Sequence, residues 1–143
     1  MHLKTLCLSL PLLMLSTAFS QAMDCTKPVG DWRNDVKSVM SIEQVDPATG
    51  RITGTYISKN GAKNPMSGWL NTSAPVEGKH NATAIHLSVN WQGEGAITAW
   101  TGYCHMVDGS PVIQTEDLIT FTNADFAWSH VISNHDTLVP VKQ

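Results

Sequence analysis

Between residues 29 and 138 the chain keeps one rhythm, and that rhythm limits its fold more than any other feature. Short runs of alternating apolar and polar residues are separated by clusters of Gly, Pro, Asn and Asp. Thr83–Trp91 is the clearest run. Ile85, Leu87, Val89 and Trp91 share one side of an extended chain, and His86, Ser88 and Asn90 take the other. Arg51–Ser58 groups Ile52, Gly54, Tyr56 and Ser58, and Ala96–Cys104 groups Ala96, Thr98, Trp100 and Gly102. Ser38–Val45, Val112–Phe121 and Trp128–Leu138 also alternate. Shorter runs at Val29–Asn34 and Met66–Asn71 bring the expectation to eight strands. The punctuation falls at Asp46-Pro47-Ala48-Thr49-Gly50, Asn60-Gly61, Asn64-Pro65, Gly93-Glu94-Gly95, Asp108-Gly109-Ser110-Pro111 and Asn134-His135-Asp136. No segment sustains a 3.6-residue period. Evenly spaced short strands of this kind predict an all-β domain, either an antiparallel sandwich or an up-and-down barrel. The longest loose stretch, Ser73–Ala82, reads as a surface loop.

The first residues belong to a different kind of segment. A short polar start with His2 and Lys4 leads into the apolar run Leu6–Leu15, and small residues follow at 16–22. This is the pattern of a secretory signal peptide, cut after Ala22 or after Ser20. Pro11 in mid-run argues against a first helix of the folded domain. The expected division is therefore a signal peptide over 1–22 and one domain over 23–143, with the protein secreted to an extracellular or periplasmic space. Cys7 leaves with the leader, and Cys25 and Cys104 remain. An even pair in an oxidising compartment predicts a disulfide, with two free thiols as the alternative.

Charge and composition exclude other classes. The net charge of −3 is evenly spread, so no basic stripe exists to displace counterions from nucleic-acid phosphates. No run reaches the roughly 20 apolar residues that a membrane-spanning helix needs. The six histidines show no paired metal spacing, and there is no C-x-x-C, G-x-S-x-G or phosphate loop. Glu116 and Asp117 are adjacent, and neighbours on a strand face opposite sides, so they cannot act on one atom. Binding is favoured over catalysis. Of the five tryptophans, Trp32 and Trp69 read as packing residues. Trp91 and Trp100 share strand faces with small polar residues, and that mixture suits a ligand cavity.

These segments carry a resemblance. Gly30-Asp31-Trp32-Arg33-Asn34, Gly50-Arg51-Ile52-Thr53-Gly54-Thr55-Tyr56, Ser88-Val89-Asn90-Trp91, Thr98-Ala99-Trp100-Thr101-Gly102, and Trp128 with His135-Asp136-Thr137 occur in the order and at the spacing of the avidin/streptavidin family. Five ordered matches span nearly all of residues 23–143. The resemblance implies an eight-stranded antiparallel up-and-down β-barrel that holds biotin as a ligand, with no cofactor and no metal. Cys25 and Cys104 fall where avidin itself has cysteines, which agrees with a bridge.

The implied site follows residue by residue. Biotin's head is a cyclic urea, whose oxygen accepts and whose two N–H groups donate. Asn34, Ser38 and Tyr56 would donate to the oxygen. Asp136 would accept from one N–H and Ser58 from the other, the ionised acceptor making the stronger bond. Thr98 would face the ring sulfur, Trp91 and Trp100 would flank the bicycle, and Val36 would add apolar wall. The loop Lys59-Asn60-Gly61-Ala62 would close over the tail and offer backbone N–H groups to its carboxylate. Trp128 would reach across an interface into a neighbour's site, which implies a homotetramer.

Three positions depart from the family. Asp117 stands where the family has a pocket tryptophan, on the same strand face as Ile113, Ile119 and Phe121. Phe121 replaces a small serine. Ala96 replaces a serine that would bond the tail carboxylate. The expected consequence is weaker biotin binding than the family's tightest members show. An inward Asp117 also suits a different small ligand, one with a cationic or hydrogen-donating group. It makes Asp117 with Asp136 the one inward acid pair that an enzyme on this scaffold could use.

Overall fold

Each alternating run becomes a strand because one side can be buried while the other stays wet. The computed structural model describes residues 23–71 and 73–141; the expected signal peptide lies outside them. The strands are β1 (Gly30–Arg33), β2 (Val39–Val45), β3 (Arg51–Ile57), β4 (Lys63–Leu70), β5 (Thr83–Trp91), β6 (Ala96–Val107), β7 (Ser110–Phe121) and β8 (Val131–Pro140). Each pairs antiparallel with the next, and β1 pairs with β8 through Trp32↔Pro140 and Arg33↔Val139. The result is a closed eight-stranded barrel, so the sandwich alternative falls. Ser73–Ala82 lies in the loop between β4 and β5, as its composition predicts.

Four local expectations change. The run at Ala96–Cys104 extends to Val107, and β7 begins at Ser110 instead of Val112. Asp108 and Gly109 alone make the turn, both with left-handed backbone (φ 48° and 78°), the geometry that suits a two-residue hairpin. Asn64-Pro65 lies inside β4 instead of forming a turn. Pro65 is tolerated because the β4–β5 ladder starts one residue later, at Met66↔Val89. Asn134-His135-Asp136 sits within β8, opposite Asp117, Glu116 and Thr115, where pairing with the long β7 overrides its turn propensity. Trp128 is not in the last strand. It sits in a short 3-10 helix, Ala127–His130, where the Ser129 hydroxyl accepts from the Phe126 N–H and donates to the Phe126 carbonyl.

The barrel interior changes character along its axis. Toward the β2–β3 and β6–β7 turns it is apolar, packed with Trp32, Met40, Ile42, Ile52, Leu87, Ile113 and Leu138. Trp32 donates its indole N–H to the Pro28 carbonyl at 2.8 Å. Trp69 is exposed on the outer wall and stacks on His86. Toward the β1–β2, β3–β4 and β5–β6 turns the inward residues become polar and aromatic, so a floor of hydrocarbon supports a polar cup.

Cys25 and Cys104 form a disulfide across a sequence separation of 79, and it ties the segment before β1 to β6 beside that floor. Replacing both cysteines by alanine should lower the unfolding free energy by about 4 kcal/mol, the chain-entropy value for a loop of about 80 residues. A lower urea midpoint checks this, and an unchanged midpoint would contradict it.

Candidate functional site

Asn34 and Ser38 are placed by a short loop between β1 and β2. The Asn34 N–H donates to the Ser38 carbonyl, and the Lys37 N–H donates to the Asn34 carbonyl. The Asn34 side-chain oxygen accepts the Ser38 N–H at 2.8 Å, and Lys37 takes a left-handed φ of 68°. An Asn side chain that closes its own turn is held in one rotamer, which leaves its amide nitrogen pointing inward. That nitrogen donates to Asp136 Oδ2 at 3.4 Å, across a sequence separation of 102. Both Asn34 and Ser38 are buried.

Asp136 holds a second donor. Trp100 Nε1 donates to the same Oδ2 at 3.0 Å. Both bonds fall on one oxygen, so Oδ1 keeps its lone pairs for another donor. Tyr56 stacks on Trp100 at 5.6 Å and meets Trp91 edge-on at 5.0 Å. Trp91 Nε1 donates to the Thr98 hydroxyl at 2.8 Å. Burial pushes the Tyr56 phenol up. Hydrogen bonding with Ser38 and Asn34 works the other way, and the charges of Asp136 and Asp117 push it up further. The phenol therefore keeps its proton at neutral pH and can donate it.

Asp117 is inward and 4% exposed, as strand parity predicts, while its neighbour Glu116 is exposed. It lies opposite Trp100 on β6 and Asn134 on β8. Asn134 Nδ2 donates to Oδ2 at 3.5 Å, and Oδ1 is sealed from solvent without a hydrogen-bond partner. Burial raises its pKa above the ordinary 3.8; Asn134 opposes the rise, Asp136 and Glu116 add to it, and His135 opposes it.

The remaining expected residues sit around the mouth. Val36 is 61% exposed on the β1–β2 loop, and with Ser38, Ser58, Lys59 and Asn60 it lines a hollow of about 540 Å³. The loop after β3 is a closed turn: the Gly61 N–H donates to the Ser58 carbonyl, and the Ala62 N–H to the Asn60 side chain. Those two N–H groups are thus engaged within the turn and not free for a tail carboxylate. Lys59 lines the same hollow and brings a cation to the rim. Ala96 is buried opposite Phe121, and Ile119 is half-buried opposite Thr98. Trp128 is 77% exposed and stacks on Phe126 with ring centroids 4.6 Å apart. Asn134, which donates to Asp117 from β8, is a site neighbour that the sequence reading does not include. Its parity with Asp136 on an uninterrupted strand is the signal, hidden by reading Asn134-His135-Asp136 as a turn.

Among the described residues no group of three or more His, Cys, Asp or Glu side chains gathers to hold a metal ion. The buried acid has a consequence for stability. Its folded-state pKa is raised, so the ionised form is disfavoured by folding at neutral pH and the penalty vanishes once both states are protonated. Asp117→Asn should therefore raise the melting temperature at pH 7. That gain should disappear as pH falls below about 3.8, the ordinary value. A variant no more stable than the parent at pH 7 would contradict the assignment.

Comparison with known proteins agrees with this architecture. The model of the Avidin family matches residues 22–140. A search of curated protein sequences finds no match. Among solved structures, the crystal structure of Xenavidin aligns with a TM-score of 0.67 at 24% identity, over 79% of this chain and 96% of that one. At that identity the structural likeness speaks for the fold, while the family model covers most of the chain with the cup residues inside it. The chain belongs to the avidin family.

Proposed function

We propose that this protein is a secreted, non-catalytic binder of biotin, which it holds head-down in the polar cup. One observation carries the reading: the β1–β2 loop with Asn34 and Ser38, Tyr56 on β3 and Asp136 on β8 come from three separate places in the sequence and gather at one end of the barrel. In the proposed pose the ureido oxygen receives bonds from the Ser38 hydroxyl, the Tyr56 phenol and the second hydrogen of the Asn34 amide. Asp136 Oδ1 accepts one ureido N–H, and Ser58 accepts the other. Trp91 and Trp100 flank the bicycle, with the Thr98 hydroxyl at the ring sulfur. Val36, Asn60, Gly61 and Ala62 surround the tail, and Lys59 faces its carboxylate. The donors sit on strands or in a closed loop, so binding orders little and the affinity is not spent on preorganisation.

Residues 1–22 are proposed as the export signal, in keeping with the disulfide. The proposed assembly is a homotetramer, in which Trp128 covers a neighbouring protomer's site. The exposed Phe126–Trp128 stack supports this, as do the exposed apolar residues Ile97, Leu118 and Val131 on the outer wall of β6, β7 and β8. Light scattering should give four times the single-chain mass, and a monomer would remove Trp128 from the site.

Calorimetric titration tests the ligand directly. Biotin should bind one per chain. Asp136→Ala should cost about 1.5–3 kcal/mol, the range for a hydrogen bond to a charged group. Asp117→Trp should tighten binding by about 1.5–3 kcal/mol, by restoring apolar area against the ring. Absence of heat with the parent protein would refute the assignment, and an unchanged constant in Asp117→Trp would place Asp117 outside the ligand's reach.

A further inference from the structure

Among the described residues, Asp117 is the buried carboxyl group that the biotin reading leaves without a task. Its side chain is buried, Oδ1 has no hydrogen-bond partner, and its bond from Asn134 is at the limit of length. A carboxylate acceptor left unpaired inside a barrel is costly unless something supplies a donor. Its surroundings are acidic and aromatic. Asp136 is its diagonal neighbour across the β7–β8 ladder, since Thr115 pairs with Asp136 and Asp117 with Asn134. Glu116 flanks it and His135 neighbours Asn134, both on the outer face; Tyr56 and Trp100 face it from β3 and β6. Every described lysine and arginine is exposed, so no such side chain balances two carboxyl groups inside the cup. Aromatic faces beside uncompensated carboxylates are the chemistry that holds an organic cation.

We propose that Asp117 determines specificity: the cup takes a bicyclic or similar heterocycle whose ring edge carries a protonated amine, held between the Asp117 carboxylate and the faces of Trp91, Trp100 and Tyr56. The inference rests on the ligand-cup reading above and adds the chemical class of ligand. An all-apolar ring edge covers Oδ1 without pairing it. A ring ammonium supplies both the missing donor and the missing charge. Asn34 and Ser38 of the urea-binding group lie on the β1–β2 loop and Asp136 on β8, so Asp117 on β7 adds a contact without replacing any of them.

An isosteric pair of ligands tests the idea in the unmodified protein. Biotin analogues with the ring sulfur replaced by a secondary amine, protonated at pH 7, or by an ether oxygen differ there chiefly in charge and donor. Titration calorimetry at pH 7 should show the amine analogue binding at least about tenfold tighter than the ether analogue. Asp117→Asn, of the same shape without the charge, should erase that lead. The ether binding as tightly as the amine would overturn the proposal, as would a lead that survives Asp117→Asn. In either case, continued binding of biotin and the ether would leave the function reading intact. No heat from any of the three ligands would contradict both.

Discussion

The seam between β1 and β8 is the constraint on which the cup depends. Two residue pairs, Trp32↔Pro140 and Arg33↔Val139, close the barrel. Asn34 follows β1 directly, so closure carries its amide to Asp136 on β8 across a separation of 102 residues. Without closure Asn34 would be an ordinary turn residue and Asp136 a lone carboxylate on an edge strand. With it, the Asn34 amide and the Trp100 indole donate to the same Asp136 oxygen, and the loop to Ser38 is held by the same Asn34 side chain. Backbone pairing thus sets the polar geometry before any ligand arrives, the condition for a site that loses little entropy on binding.

The strands of this barrel are legible because alternation is a local property, set by which face of each residue can meet water. The inward faces of β3, β5 and β6 follow from period 2 alone, and so does the inward Asp117. Where reading by propensity fails, pairing wins. Asn64-Pro65 joins β4 because β3 supplies a partner for each residue, through Tyr56 and Thr55, and Asn134-His135-Asp136 stays extended because β7 does the same. Trp128 shows the opposite limit. An alternating run can include a residue that a Ser129 side chain has already turned into a 3-10 helix. The convergence of Asn34 on Asp136 is not visible in any local pattern. It requires the closed sheet, and the family resemblance supplied what periodicity alone does not. Neither source pointed to Asn134 or to the engaged N–H groups of Gly61 and Ala62.

Asp117 sets stability against the recognition proposed for it. A carboxyl group with a sealed oxygen is an expensive way to fill a barrel, and an apolar side chain would pack there at lower cost. Its burial raises its pKa, and Asp136 and Glu116 reinforce the rise, while the floor of Ile113 and Leu138 below it stays dry. Buried groups that break the local rule in this way concentrate at functional sites, because a ligand can return what folding gives up.

The central claim is that several donors converge on one ligand carbonyl while a carboxylate waits beside them. Isotope-edited infrared difference spectroscopy of biotin carrying ¹³C at the ureido carbonyl reports that contact without mutation. Three donors on the oxygen should weaken the C=O bond and lower its stretching frequency below the value in water, and Tyr56→Phe should move it part of the way back. A bound ligand whose carbonyl frequency matches or exceeds that in water would contradict the account, since the oxygen would then lie outside the cup formed by Asn34, Ser38 and Tyr56.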